Sequence, residues 1–174
     1  MRAQDLSDLW AFMQTLPKSD NQAADHDLGF PFNIRRGLGL WKLLFLKTDP
    51  IAVLVTGDAQ LARGRYLVEG LAHCGECHTP RNLIGGPDTA RWLAGGPAPE
   101  GTGTIPNISP HEDGIGGWSA QDIIYSLETG FTPEFDSFGS SMADVQLNMA
   151  KLPKSDLEAI AAYLKAIKAQ PKAN

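Results

Sequence analysis

Apolar residues along this chain fall into helical stripes on either side of one long stretch with no period. Leu6, Leu9, Trp10, Met13 and Leu16 recur at three- and four-residue steps, which predicts a helix over 5–16 that Pro17 ends. Residues 17–56 read as irregular, with breakers at Gly29-Phe30-Pro31-Phe32 and Gly37-Leu38-Gly39 and one short helical turn near 40–46. Leu61, Leu67, Val68 and Leu71 predict a second helix over 58–73. Ser119 is placed to cap a helix whose buried face is Ile123, Ile124 and Leu127, and Gly130 suits its left-handed end. A shorter helix is expected at 142–150. The last begins at Ser155-Asp156-Leu157-Glu158, read as a capping box, and carries the stripe Leu157, Ile160, Ala161, Leu164 and Ile167. No segment alternates with period two, so the expected class is all-α.

Residues 85–117 hold nine glycines and five prolines. A loop of that length in a compact domain is expected to wrap something. One internal match stands out. Leu6, Leu9, Ala11, Phe12, Met13 and Leu16 lie over Leu157, Ile160, Ala162, Tyr163, Leu164 and Ile167 at a constant offset of 151. It suggests that the first helix closes a preceding domain of the same kind.

Composition narrows the chemistry. The 174 residues carry a net charge of -5, which argues against a nucleic-acid surface. No run approaches the ~18 apolar residues of a membrane span. The most apolar stretch, Leu38 to Leu46, is half that length and contains Lys42. The first residues lack the apolar core of a leader, so the chain is expected to be processed or to be part of something longer.

The two cysteines stand together in Cys74-Gly75-Glu76-Cys77-His78. On one helical turn this spacing turns both sulfurs toward the two vinyl groups on one edge of a haem, and the histidine that follows supplies a proximal imidazole. A redox dithiol would need a preceding strand, and a structural zinc site would need a second ligand pair; the sequence offers neither. Haem c, covalent and one per chain, is the cofactor expected. For the opposite face of the iron, Met142 follows the flexible Phe138-Gly139-Ser140-Ser141 and is favoured. Met149 suits core packing better, and His111 is a further alternative. Arg81 could pair with a propionate or stay solvated. Asn107 and Trp118 flank the Gly/Pro loop and could bond a propionate, with core packing the competing role for Trp118. Trp10, Trp41 and Trp92 read as packing residues.

Several segments together resemble a known family. They are Gly64-x-Tyr66, the run from Cys74 to Asn82, Leu93-Ala94-Gly95-Gly96, Pro106-Asn107-Ile108-Ser109, Gly114 to Ser119, Met142-Ala143-x-Val145, and Ala159 to Lys165. They are similar to class I cytochrome c, and in particular to the C-terminal haem domain of multi-haem cytochrome c subunits of periplasmic alcohol, gluconate, sorbitol and aldehyde dehydrogenases. Phe30 to Arg35 followed by Leu40 to Phe45 resembles the linker between haem domains there. The resemblance implies four segments: 1–17, the closing helix of a truncated cytochrome domain; 18–56, a linker; 57–170, the cytochrome domain; and 171–174, a tail. It implies a class I fold with helices around one haem and a long wrapping loop. Cys74 and Cys77 would carry the thioethers, and His78 and Met142 would be the axial ligands. Gly64 and Tyr66 would lie where the first helix of the domain crosses the last, against Tyr163 and Leu164.

The function this implies is electron transfer, without catalysis by the chain itself. Partners would be a dehydrogenase subunit, a neighbouring cytochrome or an oxidase. Haem attachment to such a motif takes place outside the bacterial cytoplasm, which predicts a periplasmic location, with any membrane association through partners. A haem enzyme of peroxidase or thiosulfate-oxidising type would need an open or unusual distal position. A four-helix gas sensor would carry the motif near its C-terminus, whereas here a long segment follows His78.

Overall fold

The computed structural model describes residues 1–47, 49–52, 54, 57–98 and 103–172. The expected linker residues 48, 53, 55 and 56, loop residues 99–102 and the end of the tail, 173–174, lie outside the described residues. The chain divides into two compact units, Met1–Thr48 and Asp49–Asn174.

The first unit holds helix α1 (Ala3–Thr15) and helix α2 (Gly37–Phe45), neither of which buries a residue. Trp41 and Phe45, one turn apart on α2, stack with ring centroids 5.3 Å apart. Trp10 and the leucines of both helices are exposed.

The second unit starts with α3 (Ala59–Arg65), whose N-terminal amides at Gln60 and Leu61 donate to the Asp58 carboxylate. The helix expected over 58–73 does not stay regular. It widens into a π-turn over Tyr66–Leu71 and ends at His73, which has a positive φ of 40°. The π-turn shifts the helical register just ahead of α4 (Gly75–His78), a single turn carrying the cysteine motif. Helix α5 (Ala120–Thr129) has the expected caps: Ser119 and Asp122 form a reciprocal capping box, and Gly130 ends it at φ 80°. Helix α6 (Ser141–Met149) and helix α7 (Lys154–Ala166) complete the set.

Two expectations are corrected here. The unit is not purely α, because Gly96–Pro97 (β1) pairs antiparallel with Thr104–Ile105 (β2). Strands of two residues are too short to leave an alternating pattern in the sequence. Ser155 also does not cap α7. The helix starts one residue before it, with Pro153 as the boundary residue and its carbonyl receiving the Asp156 and Leu157 amides. Asp156 instead faces Arg63 of α3 in a two-point pair, Nε to Oδ1 at 2.8 Å and Nη2 to Oδ2 at 2.7 Å.

The core lies between α3 with its π-turn, α5 and α7. Leu67, Val68, Ile124, Leu157, Ile160 and Tyr163 are buried in it together with Leu93 and Trp92 of the loop. The α3–α7 crossing depends on Gly64. A Cβ there would stand 2.0 Å from the Ala159 carbonyl oxygen and 2.7 Å from the Tyr163 Cβ. No side chain fits in that gap, so the backbones of the two helices can meet. Tyr66, expected at the same crossing, is half-buried and lies beneath the Arg63 guanidinium, 5.9 Å from its ring centre.

Candidate haem-binding site

Cys74, Cys77 and His78 share the single turn of α4, so the local sequence alone brings them together. Cys74 is half-buried against the core and Cys77 is exposed. Burial pushes the Cys74 thiol up to about 11. The turn is held from behind by Trp92. A Cβ on Gly75, between the cysteines, would fall 2.0 Å from the indole, so only glycine lets the ring approach this backbone so closely.

His78 is buried, and its Nδ1 lies 2.8 Å from the Pro106 carbonyl oxygen. A carbonyl only accepts, so Nδ1 carries the proton and Nε2 is left with its lone pair. Burial also lowers the imidazole pKa, which keeps the ring neutral. An orienting acceptor on one ring nitrogen with the other free is the arrangement of a metal-ligating histidine. The donor set therefore fits haem c: two sulfurs and a neutral, oriented imidazole on one turn. Among the described residues, no three His, Cys, Asp or Glu side chains converge as a cation site.

The loop that supplies the Pro106 carbonyl is itself pinned. Asn107 is buried; its Nδ2 donates to the Gln170 carbonyl at 2.7 Å and its Oδ1 accepts from the Ser109 amide at 2.8 Å. Ser109 Oγ also donates to the Gln170 carbonyl at 3.1 Å. Asn107 thus braces the loop with both ends of its amide. Arg81 is also engaged: it donates to the Gly85 carbonyl at 2.8 Å and to the Glu76 carboxylate at 2.5 Å. Trp118 packs against the core, and its carbonyl receives the Lys165 ammonium at 2.6 Å. That is the packing role weighed for it in the sequence.

Met142 is the second residue of α6 and half-buried. The helix is entered through Ser140 at a positive φ of 53°. It is fastened to the end of α5 by Gln146, whose Nε2 donates to the carbonyls of Leu127 at 3.2 Å and Glu128 at 2.8 Å. Met149, at the far end of α6, packs against the core as expected, while Val145 is exposed. His111 is occupied locally, with its Nδ1 accepting from the Asp113 amide at 3.1 Å.

A chain of polar contacts missed in the sequence runs behind the site. Trp92 Nε1 donates to the Tyr163 hydroxyl at 3.0 Å, and that hydroxyl donates to Glu69 Oε1 at 2.7 Å. Glu69 also accepts the amides of Ile51 at 2.9 Å and Ala52 at 3.0 Å. Burial, followed by the bond to Glu69, raises the pKa of the Tyr163 hydroxyl, which stays protonated. No local signal marks these residues, because the partners lie far apart in the chain.

A single-turn CxxCH helix with an oriented, neutral histidine defines a c-type haem domain. Comparison with known proteins agrees. Over 168 residues the chain is 56% identical to a diheme cytochrome c-type protein of Cereibacter sphaeroides, covering 95% of this chain and 55% of that protein. It is 38% identical to the fructose dehydrogenase cytochrome subunit of Gluconobacter japonicus, covering 96% of this chain and 35% of the relative. It is 33% identical to the gluconate 2-dehydrogenase cytochrome c subunit of Pantoea cypripedii, covering 96% and 40%. No family model matches. The chain spans about half the length, or less, of these relatives. It is a homologue of part of the cytochrome c subunits of dehydrogenases.

Proposed function

We propose that the chain is a class I cytochrome c domain carrying one haem c, held by thioethers from Cys74 and Cys77 and ligated by His78 and Met142. The observation that carries this is the Nδ1–Pro106 bond, which leaves His78 Nε2 as a ligand on the same turn as both cysteines. When bound, haem c supplies an iron that cycles between ferric and ferrous states. His78 gives a neutral donor of fixed orientation, Trp92 and Gly75 set the backbone of the attachment turn, and the Gly/Pro-rich loop keeps water from the proximal side. Met142 would supply a thioether sulfur as the second ligand, a donor that favours the ferrous state and suits a carrier. Arg81, Asn107 and Trp118 are the candidates for contacts to the haem propionates.

Electrons would arrive from a periplasmic dehydrogenase or a neighbouring haem and leave to a cytochrome or oxidase, as the names of the relatives suggest. Helix α1 would close a preceding haem domain. Its Leu6, Leu9 and Met13 are exposed, whereas the matching Leu157, Ile160 and Leu164 of α7 are buried. The relative of highest identity named above is diheme.

Spectroscopy of the oxidised holoprotein tests the ligation. A weak far-red charge-transfer band and poor carbon monoxide binding after reduction are expected. Met142→Ala abolishes the band and admits carbon monoxide. An unchanged spectrum in that variant refutes the distal assignment, and ready carbon monoxide binding in the unaltered protein favours a haem enzyme.

A further inference from the structure

Two hairpins of the second unit share one backbone design. In each, an isolated antiparallel bridge joins the ends, Arg81 with Pro87 and Phe131 with Ser137. The Asn82 amide donates to the Gly86 carbonyl at 2.9 Å, and the Thr132 amide to the Asp136 carbonyl at 2.8 Å. The Gly85 amide donates to the Asn82 carbonyl, and the Phe135 amide to the Thr132 carbonyl, both at 2.9 Å. A side chain closes each turn as well: Asn82 Oδ1 accepts from the Gly86 amide and Thr132 Oγ1 from the Asp136 amide. The fifth residue is left-handed in both, at φ 76° for Gly85 and 64° for Phe135. The first hairpin thus uses the residue that this conformation favours, and the second holds a bulky aromatic there against its steric preference. Leu93 also has a positive φ, 61°, but it is fully buried, so core packing offsets its strain. The Phe135 ring is 86% exposed, and little packing within the chain offsets its own.

The charges around the ring identify what would cover it. Residues 92–150 contain eight acidic side chains and neither lysine nor arginine. Glu134 and Asp136 flank Phe135, and Glu128 of α5 and Asp144 of α6 are exposed on the helices that the hairpin joins. We propose that Phe135 anchors a docking surface for a redox protein whose electron-transfer site is rimmed by lysines. The inference rests on the reading of the chain as an electron carrier. A protruding aromatic side chain that enters a pocket supplies short-range affinity, and the acidic groups about it steer a cationic partner into register. The hairpin runs directly into α6, with the Phe138 amide fastened to the Gly130 carbonyl at 2.8 Å. A partner seated on Phe135 therefore lies beside the helix that carries Met142. Contact there passes one electron from the ferrous haem of this domain to the oxidised centre of the partner, and no covalent bond forms or breaks.

The test titrates the oxidised holoprotein into zinc-substituted mitochondrial cytochrome c, a lysine-rimmed fluorescent probe, and reads an association constant from the quenching at low ionic strength. Saturable quenching that weakens with added salt is expected. Phe135→Gly lowers the association constant about tenfold, as loss of one aromatic anchor should. Its denaturant midpoint nevertheless rises, because glycine adopts this φ without strain. Glu134→Gln with Asp136→Asn weakens association and flattens its salt dependence. The haem spectrum stays unaltered in both variants. Quenching that does not saturate, or that ignores salt, overturns the proposal, and so does a Phe135→Gly protein that binds like its parent. A lower midpoint or a changed haem spectrum in Phe135→Gly would place the ring against the protein or the cofactor and overturn it too. An equal loss in Leu83→Ser would move the contact to the first hairpin. Self-association of the unaltered protein that Phe135→Gly abolishes would assign the ring to a second copy of the chain. A holoprotein that dithionite and ferricyanide cannot cycle refutes the carrier reading itself, whereas cycling without saturable binding refutes the docking surface alone.

Discussion

Replacing Gly64 by alanine tests the reading of the helix crossing through the sign of the effect. Alanine is the better helix former by about 1 kcal/mol, so at an open helical position the substitution stabilises. Here the new Cβ would meet the Ala159 carbonyl oxygen at 2.0 Å and the Tyr163 Cβ at 2.7 Å. Both obstacles are backbone or backbone-proximal atoms, which no rotamer change removes. α3 must move away from α7 by roughly 1 Å, loosening Leu67, Val68, Ile160 and Leu164 in a core packed as densely as a crystal. Overpacking of this kind costs about 1–3 kcal/mol, more than the propensity gain offsets. With both obstacles at or next to the backbone the cost falls at the upper end of that range, so the expected net loss is up to about 2 kcal/mol, read from the denaturant midpoint of the holoprotein by circular dichroism. Gly70→Ala is the internal control, since nothing lies within 4 Å of a Cβ there; it should be neutral or slightly stabilising. A Gly64→Ala protein at least as stable as its parent would refute the close-approach argument.

Three further outcomes are expected. Asn107→Ala removes the brace on the Pro106 loop and should lower stability by about 2–3 kcal/mol in denaturant titration; a loss under 0.5 kcal/mol would mean the loop holds without it. Tyr163→Phe leaves the buried Trp92 N–H without its acceptor and Glu69 with only its two backbone donors, at a cost of about 1–3 kcal/mol. Differential scanning calorimetry should record a lower transition for it, and an unchanged transition would show the network to be idle. The Arg63 guanidinium bonded to Asp156 holds that carboxyl below its ordinary value of 3.8. A depressed folded-state pKa means that this stabilisation is present above the ordinary value and fades as pH falls through the folded one. Asp156→Asn should therefore flatten the stability profile on the acid side of about pH 4, and an identical profile in parent and variant would remove the pair from the account.

What could be read from the sequence was what is written locally. Ser119, Asp122 and Gly130 mark α5 within a few residues of where they act, and the cysteine motif needs only one turn to assemble. The α3–α7 glycine was legible through resemblance to other sequences. The remainder depends on distant partners. Ser155 looks like a cap only while Asp156 has no arginine to meet, and Arg63 arrives from a helix near the other end of the unit. Glu69 looks like an ordinary helix-surface acid, yet the fold brings it the Tyr163 hydroxyl and two amides of the 51–52 segment. Asn107 flanks a glycine-rich loop, and nothing near it in the sequence announces its bond to the Gln170 carbonyl. The β1–β2 pair is too short for any periodicity to reveal.

The contact with Gln170 bears on how the protein is made. The His78 tautomer depends on the Pro106 carbonyl, whose loop is fastened by Asn107 and Ser109 to the backbone of Gln170. A ribosome or a secretion channel releases the chain from its N-terminus onward, so Cys74, Cys77 and His78 emerge long before the residue that completes their setting. During that interval the Pro106 loop lacks its anchor at Gln170, and with it the support for the bond that orients the histidine. The proximal site closes only when the last helix and the residues after it are free, so a nascent chain held back at its C-terminus would stay open to the machinery that attaches the cofactor.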